Sequence, residues 1–232
     1  MHLAKRMLVL LLLGCSSLNY ANISYDILWS SYTFNGRYKD ILYTVEPQIR
    51  LIDLSGVYQQ FLLNEGLGFG GIQHWQFWLG QTITNNDSQT NIAEDVVTGV
   101  TGEYRLWQQA NYFSNKTLVG DLLFRTRIEE RNAENYSTWS VRGRERLFWT
   151  IPLIQEYAII LSDEALINLK RTSWITAGIF DQNRVFVGLQ KQLSSSLSVN
   201  ISYLNQYIST PIPEINHGLF LNITYTSLNF FD

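Results

Sequence analysis

Cysteine is nearly absent from this chain of 232 residues, because Cys15 is the only one. A single cysteine forms no disulfide within its own chain, so a small fold held together by disulfides is excluded. Histidine is also rare, with three residues, and no cysteine and histidine cluster has the spacing of a metal site. We therefore expect neither a metal nor any other cofactor.

Charged residues are scarce as well, at 16% of the chain against about 25% in soluble proteins. The net charge of −3 leaves no basic surface for nucleic acid, so no nucleic-acid partner is expected. No apolar run approaches the roughly 18 residues that a membrane-spanning helix requires. Aromatic residues make up 14% of the chain, yet the mean hydropathy is −0.06. Apolar and polar residues must therefore be interleaved, as in a sheet with one face of each kind.

Residues 1–21 predict a secretory signal. Lys5 and Arg6 form a basic segment, and the apolar run that follows is too short to cross a bilayer as a helix. Two processing events remain open. Cleavage after Ala21 is one, and lipidation of Cys15 is the other, because the preceding Leu-Leu-Gly resembles a lipobox.

From Asp26 onward, apolar and polar residues alternate with a period of two. In residues 197–203, for example, Leu, Val, Ile and Tyr alternate with Ser and Asn. Each alternating run is about as long as a tilted strand that crosses a bilayer. We predict strands near residues 26–35, 39–51, 57–69, 74–84, 95–108, 116–130, 138–150, 154–169, 183–193, 196–207 and 217–230.

The links between the last eight strands alternate between long and short. Outer-membrane barrels of Gram-negative bacteria show this alternation, with long loops outside the cell and tight turns in the periplasm. The expected fold is all-β, a closed antiparallel up-and-down transmembrane β-barrel formed by residues 22–232. Because single-chain bacterial barrels have even strand numbers, we expect twelve strands, or ten if residues 26–35 lie outside the wall. The long links lie at residues 85–94, 132–137, 170–182 and 209–216.

Both the chain end and the tryptophans agree with the bacterial outer membrane as the location. The last strand ends in Phe230-Phe231-Asp232, which resembles the signal that the outer-membrane insertion machinery reads. Most tryptophans lie near predicted strand ends, as in the aromatic girdles at the two bilayer interfaces. The expected partners are this machinery and the lipid and lipopolysaccharide of the membrane.

A row of charged residues runs through the middle of the chain. Charged residues two apart span positions 125–131, along one predicted strand and its end, and arginines two apart span 142–146 on the next. Spacing by two puts each set on one face. An arginine facing lipid at mid-depth costs about 2–4 kcal/mol, so this face is expected to line the lumen. The predicted lumenal network consists of Glu46, Arg50, Glu103, Arg105, Arg125, Arg127, Glu129, Arg142, Arg144, Arg146, Glu156, Glu164 and Arg184.

Two interpretations of this network stay open. In the first, paired Arg and Glu side chains fill a narrow lumen, and the protein has a structural role. In the second, a track of arginines in a porin-like pore guides small anionic solutes. One residue departs from the pattern, because Glu145 would face lipid near the middle of its strand. A bulge at Gly143 would turn it inward.

Two further function classes are less well supported. An outer-membrane enzyme that acts on lipid needs a nucleophile, a base and an orienting group. His217 with the nearby Ser209 and Asn216 is the candidate set, but no nucleophile motif accompanies it. We therefore assign no catalytic residue. The second of these classes is a soluble periplasmic β-domain that binds a ligand.

Several segments, in the order of the chain, carry a family resemblance. They are Trp29, residues 125–131 (RTRIEER), residues 142–146, Asp163-Glu164, residues 181–188 (DQNRVFVG), residues 203–206 and residues 217–219. Together they resemble the bacterial domain-of-unknown-function 2490 family of predicted outer-membrane barrels. The resemblance covers nearly the whole mature chain and implies a barrel in the outer membrane. It implies no activity, since none is established for the family.

Overall fold

The computed structural model describes residues 23–52, 56–87, 102–114 and 119–227. Within these ranges, eleven β-strands form one closed barrel. The strands are β1 (Ile23–Tyr38), β2 (Ile41–Ile52), β3 (Val57–Ile72), β4 (Trp75–Asn86), β5 (Gly102–Phe113), β6 (Asp121–Ala133), β7 (Ser140–Pro152), β8 (Tyr157–Lys170), β9 (Phe180–Gln192), β10 (Leu197–Ile208) and β11 (Glu214–Ser227).

A parallel pair of strands closes the barrel. β1 lies beside β11 in parallel register, with Ser30 opposite Leu221, whereas every other neighbouring pair is antiparallel. The described strands therefore number eleven, and the expectations of twelve or ten strands and of a purely antiparallel sheet were wrong. The reason is geometric: in an up-and-down barrel with an odd number of strands, the first and last strands run in the same direction.

The two rims of the barrel differ in their connections. The short-turn rim carries tight links such as residues 39–40 and 73–74, and the long-loop rim carries longer ones such as residues 134–139 and 171–179. β1 and β11 both begin at the long-loop rim and end at the short-turn rim. This common direction is what allows the two strands to pair in parallel.

The predicted signal at residues 1–21 lies outside the described residues. The terminal aromatic pair, Phe230-Phe231, also lies outside them, so the structure does not test either prediction. Among the described residues, no helix is long and apolar enough to cross a membrane.

Alternation along each strand separates an inner surface from an outer one. On β6, Arg127 and Glu129 face the lumen, while Phe124 and Ile128 face outward with 41% and 43% of their surface exposed. Since successive side chains of a strand point to opposite faces, the barrel directs its charged residues inward and a large apolar surface outward.

Small residues on β3 and β4 make room for a large side chain inside the lumen. Trp107 packs against the wall at Gly66 and Gly80, and a Cβ atom at Gly80 would collide with the indole carbon Cζ2. The indole is only 3% exposed. Its ring carries the guanidinium of Arg127 at 4.0 Å from the centroid. The glycines thus position the aromatic surface on which the charged residues pack.

Eleven-strand closure predicts a specific crosslink. Ser30 and Leu221 both point outward and are direct partners in the β1–β11 pair, so their Cα atoms lie within the roughly 4.4–6.8 Å range of disulfides. In a Cys15→Ser background, the pair Ser30→Cys and Leu221→Cys is expected to form a disulfide on mild oxidation. Mass spectrometry of tryptic peptides measures it.

The control is Ser30→Cys with Tyr225→Cys, because Tyr225 faces outward but lies four residues further along β11. This pair should remain reduced. A twelfth strand between β1 and β11 would prevent the Ser30–Leu221 crosslink and would overturn the closure described above.

Candidate functional site

Two buried glutamates organise the arginines inside the barrel. Glu129 Oε2 accepts hydrogen bonds from Nε and Nη2 of Arg142 at 3.1 and 2.9 Å, and its Oε1 accepts one from Nη1 of Arg144 at 2.7 Å. Glu164 Oε1 accepts hydrogen bonds from Nη2 of Arg144 at 2.7 Å and from Nη2 of Arg125 at 2.6 Å. Arg144 therefore bridges both carboxylates, and the side chains of three strands form one network.

A third glutamate extends this network toward the long-loop rim. Glu103 accepts hydrogen bonds from Nε and Nη2 of Arg105 at 2.9 and 3.0 Å, and Nε of Arg131 donates to it at 2.5 Å. Asp181 accepts a hydrogen bond from Nη1 of Arg142 at 3.0 Å. These acids are almost completely buried, so each ion pair compensates charges that water does not solvate.

Tryptophans complete the closure of this half of the lumen. The guanidinium of Arg50 stacks on Trp29 at 3.8 Å from the ring centroid, and Trp29 is 2% exposed. Trp174 comes from the link between β8 and β9 and is fully buried, with Arg131 at 5.3 Å from its ring. Side chains therefore fill the half of the lumen next to the long-loop rim.

The other half of the lumen contains a cavity of about 480 Å³. It extends to the short-turn rim, where Arg37, Gln76 and Thr226 line it, and Trp29 and Arg50 line its closed end. Its wall on β6 and β7 consists of the arginines, and Glu46 lies on the opposite wall. The lumen is thus blind, because it is open toward one rim and filled toward the other. The arginines of that wall are Arg125, Arg127, Arg144 and Arg146.

The structure places most residues of the predicted network on the inner surface. Glu156 does not lie with them. β8 begins only at Tyr157, so Glu156 is exposed in the turn after β7, and its assignment to the lumen was wrong. The inward residues are Glu46, Arg50, Glu103, Arg105, Arg125, Arg127, Glu129, Arg142, Arg144, Arg146, Glu164 and Arg184.

Sequence reasoning missed three parts of the site. Arg131 belongs to the row with spacing of two on β6 but was left out of the predicted lumenal network. Asp181 reaches the lumen because the β8–β9 register shifts between Leu166 and Ile167, which alternation does not reveal. Trp174 lies in a link between strands, so no periodic pattern indicated its burial.

Glu145 faces outward, as strict alternation predicts. The irregularity of the β7–β8 pair lies between Val141 and Arg142, so the bulge expected at Gly143 is not what orients this residue. Instead the hydroxyl of Thr126 donates a hydrogen bond to the Glu145 carboxylate at 2.7 Å. The outward Glu145 carboxylate therefore has a hydrogen-bond donor on the neighbouring strand β6.

The residues considered for a lipase-like site are not brought together. Asn216 is buried inside the barrel, where its amide contacts Gln206 Oε1 at 3.4 Å. His217 follows it on β11 and therefore points outward, with its Nδ1 2.5 Å from the hydroxyl of Tyr203. The wall of the barrel separates the two side chains, so with Ser209 they form no catalytic triad.

The network predicts a large cost for removing one shared carboxylate. Glu129→Gln removes one of the two carboxylates that Arg142 and Arg144 each contact in a buried site, and we expect a loss of about 3–5 kcal/mol in the free energy of unfolding. Urea unfolding followed by tryptophan fluorescence, with the protein in detergent micelles, measures it.

Glu156→Gln is the matched control, because Glu156 is exposed in a turn and surface substitutions have small effects. Its unfolding midpoint should match that of the unaltered protein. Equal midpoints for both variants would contradict the structural importance of Glu129.

Comparisons with known proteins match most of the chain. An uncharacterised protein of Methylorubrum extorquens is 26% identical over 201 residues, which cover 84% of this chain and 85% of that protein. A family model described as a protein of unknown function, DUF2490, matches residues 27–216, which reach from within β1 to the first residues of β11 and include the whole lumenal network. The chain therefore belongs to the DUF2490 family.

Proposed function

We propose that this protein is an outer-membrane β-barrel of a Gram-negative bacterium, with a structural role and a lumen closed to the passage of solutes. The observation that carries the proposal is the apolar outer wall. Leu67, Leu79 and Ile201 are 66%, 67% and 56% exposed, and they belong to a larger set of exposed Leu, Ile, Val and aromatic side chains around the barrel. A soluble periplasmic domain would present this surface to water, where such patches cause association.

The height of the wall fits a bilayer. A strand of 12 residues such as β2 is about 40 Å long, and at a tilt of about 40° it spans roughly the 30 Å of the hydrocarbon core. Exposed aromatic residues lie toward both rims, for example Trp75 near the short-turn rim and Trp139 near the long-loop rim. This distribution is typical of interfacial girdles.

A few carboxylates on the outer wall have hydrogen-bond donors beside them. Gln81 Nε2 donates to Glu65 at 2.8 Å, and the Thr126 hydroxyl donates to Glu145. Such pairing lowers the cost of a polar group in a lipid environment, which is high when the group has no partner. The two carboxylates are therefore compatible with a wall that faces lipid.

A closed lumen favours a structural role over a porin-like one. Conduction requires a continuous water path, and the ion pairs of Glu103 and Glu129 occupy the lumen together with Trp29 and Trp174. Opening this half would separate several buried ion pairs at once. The arginine cavity reaches only the short-turn rim, which is the periplasmic side if the long loops face outward.

The lipid-facing wall can be tested by fluorescence quenching. In vesicles of phosphatidylcholine brominated on its acyl chains, we expect strong quenching of tryptophan emission relative to unbrominated vesicles. Replacing the outward Trp75, Trp139 and Trp149 by Phe should remove most of this quenching. Trp107→Phe is the control and should retain it, because Trp107 lies in the lumen. A protein that is not quenched by brominated lipid would contradict the membrane location.

The closed lumen can be tested in planar bilayers. We expect no discrete conductance steps from the reconstituted protein. Arg127→Ala should be silent as well, because it widens the cavity on the short-turn side and leaves the ion pairs of Glu103 intact. Steps that differ between the unaltered protein and Arg127→Ala would instead indicate a pore lined by this arginine.

A further inference from the structure

We propose that the blind cavity binds a small organic phosphate, with its anionic group against Arg127 and Arg146 and its apolar body against the aromatic residues. The first observation is a charge imbalance. Among the described residues, the inward arginines outnumber the inward carboxylates, and burial makes an unmatched cation costly unless an anion accompanies it. Away from the rims, the arginines are 50, 105, 125, 127, 131, 142, 144, 146 and 184, and the acids are 46, 103, 129, 164 and 181; the exposed Arg37 and Asp121 at the short-turn rim add one charge of each sign.

The imbalance is concentrated at Arg146. Its Nε donates to the Ser162 hydroxyl at 2.7 Å, and its guanidinium lies 4.0 Å from the Phe148 centroid and 4.6 Å from that of Phe186. In the described part of the chain, no carboxylate forms an ion pair with it. The outer nitrogens therefore keep donors for a ligand, while stacking holds the planar group in place.

Arg127 likewise has no carboxylate at hydrogen-bond distance among the described residues. Its Nε donates to Gln109 at 2.8 Å, its ring contact is with Trp107, and its ion pair with Glu129 is long, at 3.6 Å. Arg127 and Arg146 both line the cavity and lie on the neighbouring strands β6 and β7. Two guanidinium groups with unused donors suit the several oxygens and the double charge of a phosphate.

Glu46 marks the opposite wall. It lines the cavity from β2, and among the described residues no cation lies within ion-pair distance of its carboxylate. Its negative charge opposes the arginine wall and should weaken the binding of any anion in the space between. Removing the negative charge of Glu46 should therefore increase the affinity of the cavity for an anion.

Cavity size and aromatic lining indicate the rest of the ligand. A volume of about 480 Å³ lies within the roughly 300–1,000 Å³ of small-molecule pockets. Trp78, Trp107, Phe186 and Phe220 also line this space. A flat apolar body with one phosphate group therefore fits better than inorganic phosphate alone. This inference rests on the proposed closed barrel in one respect, which is that a ligand enters the cavity only from the short-turn rim.

The test is isothermal titration calorimetry of the full-length protein purified in detergent. The probe is phenyl phosphate, and the comparison ligands are phenol, inorganic phosphate and benzoate. We expect phenyl phosphate to bind at least about tenfold more tightly than each of them, since a hydrogen bond to a charged group contributes that much. Arg146→Gln and Arg127→Gln should each weaken its binding by about tenfold or more.

Two further variants complete the design. Glu46→Gln should strengthen binding severalfold, and Lys191→Gln should leave it unchanged, because Lys191 lies outside the lumen near the same rim. Equal binding of phenyl phosphate and phenol, unchanged binding in Arg146→Gln, or weaker binding in Glu46→Gln would overturn the inference. Benzoate that binds as tightly as phenyl phosphate would overturn the assignment to phosphate. None of these results depends on a bilayer, so they are separate from the outcome of lipid quenching.

Discussion

The pairing of arginine with glutamate in a space closed to water is the constraint on which the rest of the barrel depends. Glu129 lies directly opposite its partner Arg142 in the register of β6 and β7, and Glu164 lies directly opposite its partner Arg184 in the register of β8 and β9. A shift of one residue would turn each of these charges to the outer wall. The network therefore does more than fill the lumen. It stabilises one register of the central strands against the alternatives.

The alternating strands close into a barrel although their number, eleven, is odd. Eleven alternating segments are visible in the sequence, and each overlaps one of β1 to β11, although the segment predicted at residues 95–108 begins seven residues before β5. The assumption of an even number led to twelve or ten, because it requires an antiparallel closing pair. Main-chain hydrogen bonding requires only that both edges be paired, and a parallel pair of β1 and β11 meets this requirement over 14 residue pairs from Ile23–Glu214 to Gly36–Ser227.

The sequence predicts what is periodic and fails where the period is interrupted. Arg125 to Arg146 could be assigned to one face, since spacing by two suffices on a regular strand. Glu156 was misassigned because it lies in the turn before β8 and not on that strand. Asp181 was missed because a register shift in the β8–β9 pair interrupts the alternation along β9. Trp174 belongs to a link, where side-chain direction depends on tertiary packing. Which arginines lack a carboxylate partner also depends on distances between strands that are far apart in the chain.

The two halves of the lumen differ in how completely their charges are matched, and this difference relates the structural role to the cavity. Near the long-loop rim, Arg131 and Arg142 each contact a carboxylate at hydrogen-bond distance and are almost fully buried. In the half that contains the cavity, Arg146, at the middle of β7, stacks on aromatic rings and has no such ion pair in the described chain. Rings stabilise a cation without neutralising it. A lumen that served only to hold the wall together would gain stability from a carboxylate at this position, so the unmatched charge is better explained by a ligand that supplies the anion.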